Sequence, residues 1–160
     1  MSASSAFDPP ETSEAELDLA RRSAAAMLDN DQASQGLGMC IEDSGVGYSR
    51  VSMRIRKDML NGHGNCHGGF MFTLADSAFA FACNSRNEAT VAASCSIDFL
   101  RPVRENERLT AIARERVLVG RTGIYDVMVI DEAGQPVAAF RGKSARVKGE
   151  VIGSRAAPTG

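Results

Sequence analysis

Asn61, His67, Gly68 and Asp76 fall within sixteen residues and are of types that could act together on a carbonyl group. Their setting is NGHGNCHGGFMFTLADSAFAFACNS, residues 61–85, where a Gly/His/Asn-rich turn runs into a nearly unbroken apolar segment. Asp76 is the only charged side chain there apart from histidine, although the chain's 24% charged content would place about six in such a stretch. Burying a carboxylate is costly unless it is paired or hydrogen-bonded, so a lone acid in a buried helix is a candidate for chemistry. A carboxylate satisfied by Thr73 or by a neighbouring loop is the competing reading. Gly68 and Gly69 stand where the turn becomes a helix. Unpaired N–H groups and the positive end of the helix dipole favour developing negative charge at such a place. Glycine also lets a substrate approach the backbone closely. This is the geometry of an oxyanion hole, where losing one donor can cost ~3–4 kcal/mol. The simpler alternative is a glycine pair that makes a tight helix entry. Asn61 could position water or polarise a carbonyl, but Asn-Gly is equally a strong turn signal.

Asp76 follows Gly68 by eight positions, about 12 Å along one helix. A carbonyl carbon cannot be within ~3 Å of both on the same helix. A two-fold dimer with antiparallel central helices resolves this, because the glycine of one chain then faces the aspartate of the other. His63, Cys66 and His67 invite a metal reading, but adjacent residues rarely chelate one ion together, and no metal is expected. A Cys66–His67 nucleophilic pair meets the same objection. Gly120-Arg121-Thr122-Gly123 and Arg141-Gly142-Lys143-Ser144 set cations beside glycines and hydroxyls, which suits either phosphate contacts or solvated strand ends.

The elements that would hold these groups follow from periodicity. Ser13 with Glu16 reads as a capping box, and Leu17, Ala20, Ala24, Met27 and Leu28 give a helical stripe ending near Asn30. Leu37, Met39 and Ile41 suggest a strand, Asp43-Ser44-Gly45 a turn, and Val51, Met53 and Ile55 a half-buried strand. The apolar residues of 70–82 point almost all round a helix, so that helix should be buried. Its polar exceptions, Thr73, Asp76, Ser77 and Asn84, fall on one stripe. The segments 91–101, 109–119, 124–131 and 137–147 then alternate at hairpin spacing and read as an antiparallel meander. Separated runs of this kind mean α+β, with a curved antiparallel sheet around one long helix as the economical solution.

The chain's 160 residues suffice for one domain, expected over 13–149, between a disordered tail at 1–12 and a second tail at 150–160. A net charge of −2 argues against nucleic acid as a partner. The charge is uneven, with 7 Lys/Arg against 13 Asp/Glu in residues 1–100 and 11 against 7 in 101–160. No basic segment followed by an apolar run opens the sequence, and no run of 18 apolar residues could span a membrane. Four scattered cysteines suit reduced thiols in a cytoplasmic protein.

The central stretch, followed by SIDFLRPV, GIYDV and FRGKS, resembles the hotdog-fold acyl-CoA thioesterases of the phenylacetic acid degradation group over roughly residues 20–148. The resemblance implies hydrolysis of an acyl-CoA thioester, of phenylacetyl or hydroxyphenylacetyl type, at a homodimer interface within a homotetramer. It implies Asp76 as nucleophile or general base, Gly68 as oxyanion amide, Asn61 as the residue orienting water or thioester, and His67 beside the leaving sulfur. A serine on the strand facing the helix is sometimes part of the set in that family, and Ser94 and Ser96 are both available. Arg101, Arg121, Thr122 and Lys143 would meet the CoA moiety, which is substrate; no cofactor is implied. A hydratase or dehydratase using His67 with Asp76 is the rival within the fold, and an acyl-CoA-binding module without turnover the rival outside enzymes.

Overall fold

The computed structural model of the protein describes residues 6–153. Helix α1 (Glu14–Asn30) opens with the expected capping box: Ser13 Oγ accepts from the Glu16 N–H while Glu16 reaches back to the Ser13 N–H. A five-residue helix α2 (Gln32–Gly36), capped by Asp31, follows; it is too short to leave an apolar period in the sequence. Strands β1 (Cys40–Gly45) and β2 (Tyr48–Arg54) form a hairpin. The turn expected at 43–45 is strand, and the chain reverses at 46–47 instead. Gly47 makes the reversal with φ 63, and a Cβ there would come within 2.7 Å of the Glu115 Cβ. A loop then leads to the long helix α3 (Gly68–Cys83).

Strands β3 (Glu88–Phe99), β4 (Arg108–Val119), β5 (Thr122–Ile130) and β6 (Pro136–Glu150) complete one antiparallel sheet in the order β1-β2-β4-β5-β6-β3. The four-strand meander is therefore only three strands long. β4 pairs with β2, and β3 lies beyond β6 at the edge. Hairpin spacing is a local signal, whereas the place of β3 is set by where α3 releases the chain. The link 100–107 is long enough to return to the sheet centre. The architecture is α+β, one helix wrapped by a six-stranded antiparallel sheet, as the hotdog resemblance implies.

The core lies between α3 and the sheet, where Phe79, Phe81, Leu74, Met53, Leu109, Tyr125 and Val127 are buried. The Phe79 ring is tilted against Tyr125 and Phe140, with centroids 5.4 and 5.9 Å away. Gly142 makes room for it, since a Cβ there would meet Phe79 carbons at 2.8 Å. The helix is not covered all round, however. Gly69, Thr73, Asp76 and Ala80, spaced 4, 3 and 4 apart, stay partly accessible along one side. Of the expected tails, residues 1–5 and 154–160 lie outside the described residues. Residues 6–12 lie on the domain: the Phe7 ring packs under Arg116 at 4.9 Å, Arg116 donates to the Ala6 carbonyl, and the Pro10 ring packs at Gly45. β6 runs to Glu150, and Ile152 N–H donates to Asn87 Oδ1 at 2.7 Å.

Candidate active site

The loop before α3 is held from both ends. Leu60 and Cys66 bridge, Cys66 N–H donates to Val103 O at 2.7 Å, and His67 N–H donates to Met59 O at 2.8 Å. Inside it, Asn61 Oδ1 accepts from the N–H groups of His63 (2.9 Å) and Asn65 (3.2 Å). The turn reading of Asn61 is therefore realised, and among the described residues its Nδ2 has no acceptor. His67 is the N-cap of α3, with Nδ1 accepting from the Gly69 N–H at 3.0 Å. That bond leaves Nε2 to carry the proton of the neutral ring. Phe70 N–H is satisfied by His67 O at 3.0 Å. Among the described residues the Gly68 N–H has no acceptor, so it is the open donor at the positive end of the helix.

Asp76 lies two turns further on. Burial pushes its carboxyl above the ordinary carboxylate range, and the Asp31 carboxylate adds to the effect. Among the described residues its hydrogen-bonding contact is the Cys95 thiol, 4.0 Å from Oδ1, a weak donor at long range. Thr73, the partner suggested by the sequence, instead donates to Gly69 O at 2.8 Å. Burial and the Asp76 charge both raise the Cys95 thiol, so sulfur keeps its proton. The polar stripe divides into two uses. Ser77 is buried in a hydrogen bond of 2.8 Å with Ser34, which itself donates to Asp31 at 2.5 Å. Asn84 caps the helix end and bridges to both backbone groups of Thr90.

The strand facing this side of α3 is β3. Its inward residues pair with inward residues of β6: Cys95 with Gly142, Ile97 with Phe140, Phe99 with Ala138. Ser94 and Ser96 point to the outer face, opposite Lys143 and Arg141, so neither faces the helix and Cys95 does. A bulge between Ala92 and Ser94 offsets the alternation by one, which period-2 counting from the sequence could not foresee. The four CoA candidates do not converge on one chain. Arg101 is held by Asp131 (2.6 Å) and Pro136 O (3.1 Å), whereas Arg121 and Thr122 stand at the other end of β5, roughly 30 Å away. Arg121 is bound to Arg146 O, and Lys143 lies on the outer face. Among the described residues no three His, Cys, Asp or Glu side chains gather as metal ligands. No helix there is long and apolar enough to cross a membrane.

A half-buried carboxylate without a strong partner is a group suited to activating water, and an open helix-start amide one suited to stabilising an oxyanion, the two requirements of acyl transfer. The thioesterase superfamily model matches residues 63–138, the span from the loop into the start of β6. The acyl-coenzyme A thioesterase PaaI of Escherichia coli (strain K12) is 46% identical over 132 residues, covering 82% of this chain and 94% of that protein. The solved E. coli PaaI protein from the phenylacetic acid degradation operon superposes with a TM-score of 0.82 at 45% identity, over 84% of this chain and 97% of that one. A mutant of the phenylacetic acid degradation protein PaaI from Thermus thermophilus gives 0.71 at 41% identity, over 73% and 100%. The chain belongs to the hotdog-fold acyl-CoA thioesterases of the thioesterase superfamily. It is a thioester hydrolase.

Proposed function

We propose that this thioesterase hydrolyses CoA esters of aryl-acetyl acids, phenylacetyl- and hydroxyphenylacetyl-CoA, in phenylacetate degradation in the cytoplasm, at two equivalent sites each shared by the two chains of a homodimer. The observation that carries the reading is the separation of Gly68 and Asp76 on one helix, with Gly68 partly accessible at its start and Asp76 partly accessible two turns on. The aryl-acetyl substrate is supported by the PaaI relatives from phenylacetic acid degradation. The edge of β3 supports the dimer: among the described residues its strand partner is β6 alone, and Val91 is exposed along it. Two such dimers pair as a homotetramer in this reading, and four free thiols agree with a reducing compartment.

In this reading the thioester carbonyl oxygen lies at the Gly68 N–H of one chain, with the carbonyl carbon opposite Asp76 of the other. Water attacks the carbon and gives its proton to the Asp76 carboxylate, and the negative charge on oxygen is held by the Gly68 amide and the helix dipole. When the C–S bond breaks, the electron pair leaves on the CoA sulfur, which accepts a hydrogen bond from the His67 Nε2–H, and the proton held by Asp76 passes to the thiolate or to solvent; the products are the free acid and CoA. Asn61 Nδ2 orients the water or the thioester. In the nucleophilic variant Asp76 oxygen bonds to the acyl carbon and expels the CoA thiolate, and water then cleaves the resulting anhydride at its aspartyl carbonyl. A single turnover in 18O-water separates the routes, since the second leaves label in Asp76. No cofactor takes part. Lys143, exposed on the outer face, and Thr122 are the CoA-phosphate candidates least committed within the chain; Arg101 and Arg121 contribute as their present bonds allow.

Thiol release measured across a panel of CoA esters tests the substrate. Phenylacetyl-CoA is expected to have the highest kcat/KM, and an equal or better rate with straight-chain esters contradicts it.

A further inference from the structure

Phe99 ends β3 with its ring edge aimed at the start of α3. A Cβ on Gly68 would lie 2.7 Å from the Phe99 Cζ and 3.1 Å from both Cε atoms. The ring therefore occupies the space that any side chain at 68 would need, yet Phe99 remains 52% exposed. An aromatic ring this exposed, fixed against the glycine whose N–H is open, forms one wall of whatever space a bound carbonyl enters. Ile97 and Phe72 continue an apolar strip from it along α3, toward Cys95 and Asp76. Leu100 extends the strip outward, also 52% exposed, and the next residue, Arg101, has its guanidinium occupied by Asp131 and Pro136 O. Among the described residues the strip beside the ring is apolar, and its nearest chain cation, Arg101, is already engaged. These surroundings suit the acyl side of a thioester and not its nucleotide side.

We infer that Phe99 is a specificity-determining residue, contacting the acyl group of the substrate whose carbonyl oxygen binds the Gly68 N–H of the same chain and favouring flat, apolar acyl groups. The inference rests on the thioesterase site described above and adds to it a residue that touches substrate. A ring face beside the carbonyl gains contact with an aryl-acetyl group and little with an acetyl group, so its removal acts on one ester and spares the other.

The test compares wild type, Phe99→Leu and Phe99→Ala on phenylacetyl-, butyryl- and acetyl-CoA by thiol release. Phe99→Ala is expected to lower kcat/KM for phenylacetyl-CoA by about 10-fold or more, with Phe99→Leu intermediate and acetyl-CoA within about threefold. An equal loss on all three esters, or no loss, overturns the inference. Circular dichroism and the oligomer mass of each variant separate a folding defect, and Phe99→Leu, which keeps an apolar side chain at an exposed position, carries the test if Phe99→Ala is defective. Wild type without thiol release from any ester would instead sink the shared-site reading, so the two failures are told apart.

Discussion

Asp76 and Glu115 are both carboxylates held back from bulk water, and they differ in what surrounds them. Burial works to raise Glu115, but two bonds from Arg86 (2.7 and 2.9 Å) and one from the Tyr125 hydroxyl (2.6 Å) outweigh it and hold the group below the ordinary range. Asp76 has a thiol at 4.0 Å and a second carboxylate nearby, and its pKa rises. The signs of the stability effects are therefore opposite. For Asp76 the folded pKa exceeds the unfolded one, so its ionisation weakens the fold as pH rises through that raised value. Asp76→Asn is expected to melt at or above wild type at pH 7, with the difference closing below about pH 4, while thiol release falls on the order of 10²-fold or more. For Glu115 the stabilisation is present above the unfolded pKa and is lost as pH falls through the depressed one. Glu115→Gln should cost about 1–3 kcal/mol at neutral pH in denaturant titration and nothing in strong acid. The acid limb of kcat/KM should likewise lie above the ordinary carboxylate range and vanish with Asp76→Asn. Gly68→Ala keeps the amide but displaces the Phe99 ring, and kcat should drop on the order of 10-fold, less than for a donor lost outright.

At the scale of elements, the site depends on how α3 is fastened at each end. Its start is fixed by the 59–67 loop and the His67 cap, its middle by Ser77 against Ser34, and its end by Asn84 against Thr90 of β3. Asn84→Ala leaves the Thr90 amide and carbonyl without these partners. It should cost about 1–3 kcal/mol in chemical denaturation and loosen β3 against the helix, seen as faster hydrogen exchange along 88–99. Much of this was legible in the sequence. The capping box at Ser13, the lone acid in an apolar helix and the glycines at its start are local signals, and local physics decides them. The place of β3 was not, because sheet order depends on where α3 delivers the chain and not on strand spacing. Cys95 and Phe99 were missed for a related reason. Which side of β3 faces the helix is set by the bulge after Ala92, and a serine-based expectation looked to Ser94 and Ser96. A count of inward positions back from the Pro102 end would have found Phe99, Ile97 and Cys95 together.

At the scale of the whole molecule, the proposed reading gives one chain two half-sites, two turns apart along α3. An open amide with an aromatic wall lies at its start, and a poorly partnered carboxylate two turns along. In the shared-site reading a second copy brings the complementary halves together twice, and the exposed β3 edge is the surface for that pairing. The most direct measurement mixes Asp76→Asn and Gly68→Ala chains under conditions of subunit exchange and follows thiol release. If each site joins Gly68 of one chain to Asp76 of the other, half the dimers are mixed and each carries one intact site, so about a quarter of wild-type activity returns. If the mixture, with exchange verified by mass, stays at the average of its two components, each site lies within one chain and the shared-site account is contradicted.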